Sequence, residues 1–84
     1  MEPHYLIIAR SITHAQRIEQ LLLRAGVHCC VFRAPMEVAG RGCAYAVRIG
    51  ASSLQRALTV IHGAGLSPVS VFMSTKNGYQ EESL

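Results

Sequence analysis

The chain of 84 residues has no tryptophan, no aspartate and a single lysine, Lys76. Without aspartate there is no Ser-His-Asp grouping, and no close carboxylate pair stands out, so hydrolytic and kinase-like chemistry are disfavoured. Nucleic-acid binders combine clustered basic residues with aromatic platforms. Here only three tyrosines and two phenylalanines supply aromatic surface, and Arg10, Arg17, Arg24, Arg33, Arg41, Arg48 and Arg56 are spread along the chain. Cys-x-x-Cys and His-x-x-x-His are both missing, which removes the usual spacings of a zinc or dithiol site. The longest apolar run, Tyr5 to Ala9, is far too short to span a bilayer.

What is present is a small, apolar body. Half of the residues are hydrophobic and 15% are charged, with a formal charge of +3. That composition is globular, near the size where one core gives only marginal stability. So much apolar surface predicts a homodimer or a docking partner. The positive balance permits an anionic ligand without pointing to one. The opening, Met1-Glu2-Pro3-His4, lacks a basic leader, and three cysteines without a secretory pattern suit a reducing compartment. The expectation is a soluble cytoplasmic protein that meets neither membrane nor nucleic acid.

Periodicity divides the chain. His4 to Ala9 reads as a central strand. Ser11 or Thr13 can cap a helix, Thr13-x-x-Gln16 fits a capping box, and Ala15, Ile18, Leu21, Leu22 and Ala25 form a helical stripe that Gly26 ends. Val27 to Arg33 reads as a second strand, with Cys29 facing one way and His28, Cys30 and Phe32 the other. After a connection from Ala34 to Gly42, Cys43 to Ile49 reads as a third. Ser52-x-x-Gln55 offers a second capping box before the stripe Leu54, Ala57, Leu58, Ile61 and Ala64. Val69 to Met73 reads as a fourth strand. The order βαββαβ predicts an α+β, ferredoxin-like fold, with a four-stranded antiparallel sheet ordered 4-1-3-2 and both helices on one face. Residues 1–75 form this domain and 76–84 a polar, disordered tail. The second sheet face, carrying Cys30, Phe32 and Phe72, would be open and would make the homodimer.

Cysteine is the most informative residue type. Cys29 and Cys30 are adjacent on a strand, so they point apart and cannot share a metal or a local disulfide. Metal carriage is further disfavoured because the first loop, Arg10 to His14, carries no thiol. Cys43 follows Gly40-Arg41-Gly42, where backbone amides and a cation would favour thiolate over thiol. A thiolate is what attacks a persulfide or disulfide sulfur. The plain alternative is a β-turn followed by a small strand cysteine. His14, in the first turn of helix one, could assist a ligand or simply face solvent.

The stretches Ser11-x-Thr13-His14-Ala15, Glu19-x-Leu21-Leu22 and Ala25-Gly26-Val27 resemble the putative selenium/sulfur carrier protein-like family of small bacterial proteins. Its members carry a Ser/Thr-rich opening of helix one, then a Pro-Arg-x-Ile/Leu-Ser segment leading into Ser-Cys-Gly, then a strand. Here Pro35 to Ala39 stands for the proline segment, Cys43 for the cysteine and Ala44 to Ile49 for the strand, over roughly residues 5 to 73. Met36 takes the place of the arginine, Ala39 of the serine and Ala44 of the glycine. The resemblance implies a carrier that holds sulfur or selenium on Cys43, and Gly40, Arg41, Gly42, Ser11, Thr13 and His14 are the candidate ligand-binding residues beside it. On the carrier reading the partners are a desulfurase-like donor and a sulfur or selenium acceptor, and no resident cofactor is expected. The competing expectation is a non-catalytic, dimeric interaction or ligand-sensing module. Both readings make the protein a carrier or binder, not an enzyme.

Overall fold

A computed structural model describes residues 3–39, 44–66 and 70–82. The elements are β1 (His4–Ala9), α1 (Ile12–Arg24), β2 (Cys29–Arg33), α2 (Met36–Ala39), β3 (Tyr45–Gly50), α3 (Leu54–Gly63), β4 (Ser70–Thr75) and β5 (Gly78–Glu82), with a 3-10 turn (Ala51–Ser53) leading into α3. All neighbouring strands pair antiparallel, in the order β2-β3-β1-β4-β5. The first four strands and the crossovers α1 and α3 therefore have the strand order of a ferredoxin-like core. Its sheet has five strands, not the expected four. The fifth lies in the stretch expected to be a disordered tail.

Ser11 caps α1, its hydroxyl accepting a hydrogen bond from the backbone N–H of His14 at 3.1 Å. The Thr13–Gln16 capping box does not form, because the helix already starts at Ile12. At the other end, the N–H of Gly26 bonds to the carbonyl of Leu23 and that of Val27 to Leu22, with Gly26 at φ +82°. This is a Schellman end, and it delays β2 to Cys29 because the Val27 N–H is already engaged. Gly65, at φ +75°, ends α3 in the same way, its N–H bonding to His62 and that of Leu66 to Ile61. The Ser52–Gln55 box is replaced by the 3-10 turn, and Ser53 at the start of α3 makes no side-chain cap.

Strand alternation sends the two sheet faces into two cores. Ile7, Ala9, Val47, Ile49 and Val71 pack against Ala15, Ile18 and Leu22 of α1 and Ala57 and Ile61 of α3. Both long helices thus lie on one face. Fully buried aliphatic chains such as Ile18, Leu22 and Ile61 each contribute about 1.5–3 kcal/mol. On the second face Leu6, Ile8 and Ala46 are buried with Ala34 and Val38 of the β2–β3 connection, flanked by Ala44, Phe72 and Tyr79. The expected open face is therefore closed at its centre within one chain. Of the apolar residues on this side, Phe32 and Met36 remain exposed, at 36% and 84%.

Candidate functional site

β1 and β3 run the length of the sheet and define its two ends. At one end Ala9 pairs with Tyr45, so the β1–α1 connection and Ala44 sit together there. Ser11 is engaged as the helix cap, Thr13 is exposed and His14 is half-buried in the first turn. No acidic residue occupies that turn, so the partial positive charge of the helix start is not neutralised there. Ala44, next in sequence after Cys43, has its carbonyl bonded by the N–H of Ala34 at 2.9 Å. Gly40, Arg41, Gly42 and Cys43 lie outside the described residues.

At the other end His4 pairs with Gly50, and two residues inward along β3 Cys30 pairs with Arg48. A concave pocket of about 520 Å³ opens here, lined by His4, His28, Cys29, Cys30, Arg48 and Gly50 among others, with no acidic residue in its wall among the described residues. Cys30 and Arg48 project to the second sheet face as direct cross-strand neighbours, which sets their Cβ atoms about 5 Å apart. Both are exposed. Among the described residues Arg48 has no ion-pair partner. His28 is exposed two residues before Cys30. The His4 ring is fixed by β5: its Nε2 lies 3.2 Å from the Tyr79 hydroxyl, the two rings meet edge to face, and its backbone N–H donates to Ser74 Oγ at 3.1 Å.

Cys29 and Cys30 have separate environments, as strand alternation requires. Cys29 turns toward α1, where its thiol points at the carbonyl of Glu19 at 3.8 Å. Burial, then the Glu19 carboxylate, then Cys30 push its pKa up from 9.0 to about 11. At neutral pH Cys29 is a thiol and a poor nucleophile. Sequence reasoning treated Cys30 as a structural strand residue and missed the pocket beside it. The face shared by His28 and Cys30 was readable from alternation, but the register that sets Arg48 opposite Cys30 was not. Among the described residues no three His, Cys, Asp or Glu side chains come close enough to hold a metal ion.

The family profile described as "Putative Se/S carrier protein-like" matches residues 4–73. The chain belongs to that family. The match runs from the first residue of β1 into β4, and so takes in both ends of the sheet, the pocket and the 40–43 connection. No curated protein matches this Se/S carrier-like chain. Among the described residues it has no helix long and apolar enough to cross a membrane.

Proposed function

We propose that the protein carries sulfur or selenium on a cysteine thiolate, with Cys43 as the acceptor. The observation that carries this reading is the family match across residues 4–73. In the transfer, the Cys43 thiolate attacks the terminal sulfur of a donor persulfide. A new S–S bond forms, the donor's S–S bond breaks, and the donor leaves as a thiolate. Gly40 and Gly42 supply backbone N–H groups and Arg41 a charge to hold the anionic product. Ser11, Thr13 and His14 line the approach from the end of the sheet at which Ala44 sits. The donor is a desulfurase-like enzyme and the recipient a sulfur- or selenium-requiring one, both in the cytoplasm. The raised pKa of Cys29 supports the reading by removing one of the three thiols from contention.

The test is loading by a cysteine desulfurase and free cysteine, with each cysteine followed by peptide mass spectrometry. One added sulfur on Cys43, lost in Cys43→Ser, is expected. Desulfurase-dependent loading that leaves Cys43 unmodified refutes the assignment. The exposed pair Phe32 and Met36 favours one further reading, a dimeric interaction module with no transfer chemistry. That reading predicts no loading, and a dimer by sedimentation that Phe32→Ser disperses.

A further inference from the structure

The pocket lies at the His4–Gly50 end of the sheet, whereas Ala44 sits at the other end. Arg48 lies four residues along β3 from Ala44, about 13 Å at the rise of a strand. Its chemistry is unusual for a surface hollow. Among the described residues, a guanidinium with no ion-pair partner, two imidazoles and an exposed thiol line one concavity without a carboxylate. Arginine is charged at every physiological pH, and its planar fork bonds two oxygens of one anion at once. A cation would meet Arg48 with no carboxylate to offset it among the described residues, which also hold too few donors for a metal. The occupant that fits is a small oxyanion.

Cys30 decides which oxyanion. It is the direct cross-strand neighbour of Arg48 and lines the same pocket, so an anion held there comes within reach of the thiol. We propose that this pocket binds a small oxyanion of the thiosulfate class through Arg48 and His28, and that Cys30 takes the sulfane sulfur from it. In the step the Cys30 thiol first releases its proton to solvent. The thiolate then attacks the outer sulfur of thiosulfate, a Cys30 S–S bond forms, and the S–S bond of thiosulfate breaks. Sulfite leaves with the electron pair. One thiolate and one dianion become one persulfide anion and one dianion, so charge is conserved and no oxidant is consumed. Arg48 holds the oxygens of the departing sulfite, His28 adds a second donor, and His4, held by Tyr79, lines the same pocket.

The transfer half rests on the carrier reading, whereas the anion half rests on the pocket alone. The experiment therefore reads both in the full-length protein. Labelling of Cys30 by neutral iodoacetamide should slow several-fold in the presence of sulfate, while Cys29 labels slowly throughout. Arg48→Gln should abolish that protection, and Arg48→Lys, which keeps the charge but not the fork, should restore part of it. Both positions are exposed, so the variants should melt like the parent. Thiosulfate should then add one sulfur to Cys30, removable by a reducing thiol, in the parent and in Cys43→Ser but not in Cys30→Ser. Absence of sulfate protection overturns the proposal, and so does protection without sulfur transfer. Sulfur on Cys30 from thiosulfate with none on Cys43 from a desulfurase would refute the Cys43 assignment and leave this site standing.

Discussion

Adjacent cysteines on one strand differ here because the β backbone sends one toward α1 and the other toward the second face. Cys29 holds its proton to about pH 11, against an ordinary value of 9.0, chiefly because burial disfavours the thiolate. Its folded-state pKa is raised, so the unfolded chain releases the proton first as pH climbs. The associated stability is complete below about pH 9 and is lost as pH rises toward about 11. Cys29→Ala should therefore flatten the decline of the melting temperature across that window. A decline as steep as the parent's would show that another group titrates there. Because Cys29 is only half-buried, solvent screening keeps the effect well below what a fully buried shift of that size would give.

At the scale of elements, the ends of α1 mattered more than its middle. The stripe of Ala15, Ile18 and Leu22 was legible because a 3.6-residue period needs no knowledge of the partner surface. The caps were harder to read. Two Ser/Thr-x-x-Gln sequences matched the capping-box pattern, yet Ser11 caps α1 and a 3-10 turn opens α3. Ser11→Ala should cost about 1 kcal/mol, read by urea denaturation. Gly26→Ala should cost roughly 1–2 kcal/mol, because its φ of +82° is one that a Cβ penalises even where space is open. A neutral result at Gly26 would mean that the α1 end relaxes to another geometry. β5 escaped notice for the opposite reason. Gly-Tyr-Gln-Glu-Glu has one apolar residue and no alternation, and the Asn77-Gly78 pair was its one sequence signal.

For the whole molecule, β5 changes what the sheet's second face is. Tyr79 packs against the Leu6, Ile8 and Ala46 cluster and bonds to His4, so the end of the chain is part of a core. A disordered tail could be cut away without cost. Removal of residues 76–84 should instead lower the melting temperature, with at least about 1–2 kcal/mol lost from the Tyr79 ring alone. It should also raise binding of an apolar dye as Phe72 and its neighbours are uncovered. A melt that matches the parent would mean that β5 contributes nothing to the fold. The candidate site was legible only in part, since the residues that line the pocket come from strands 18 or more positions apart in sequence. Alternation gives a residue's face, whereas only the folded register shows what lies opposite.

Gly50 pairs with His4 and lines the pocket with ordinary extended backbone, φ −69° and ψ 153°, and an added Cβ would meet no atom within 4 Å. Its backbone conformation is open to any residue, so a hydrogen atom in place of a side chain sets the pocket's depth. The size of this hollow is thereby uncoupled from the stability of the sheet. One substitution can act as a plug: Gly50→Leu should close the pocket to sulfate and leave the unfolding free energy within about 0.5 kcal/mol of the parent's. Pocket volume in this scaffold is a trait that can drift, or be engineered, without the fold having to follow.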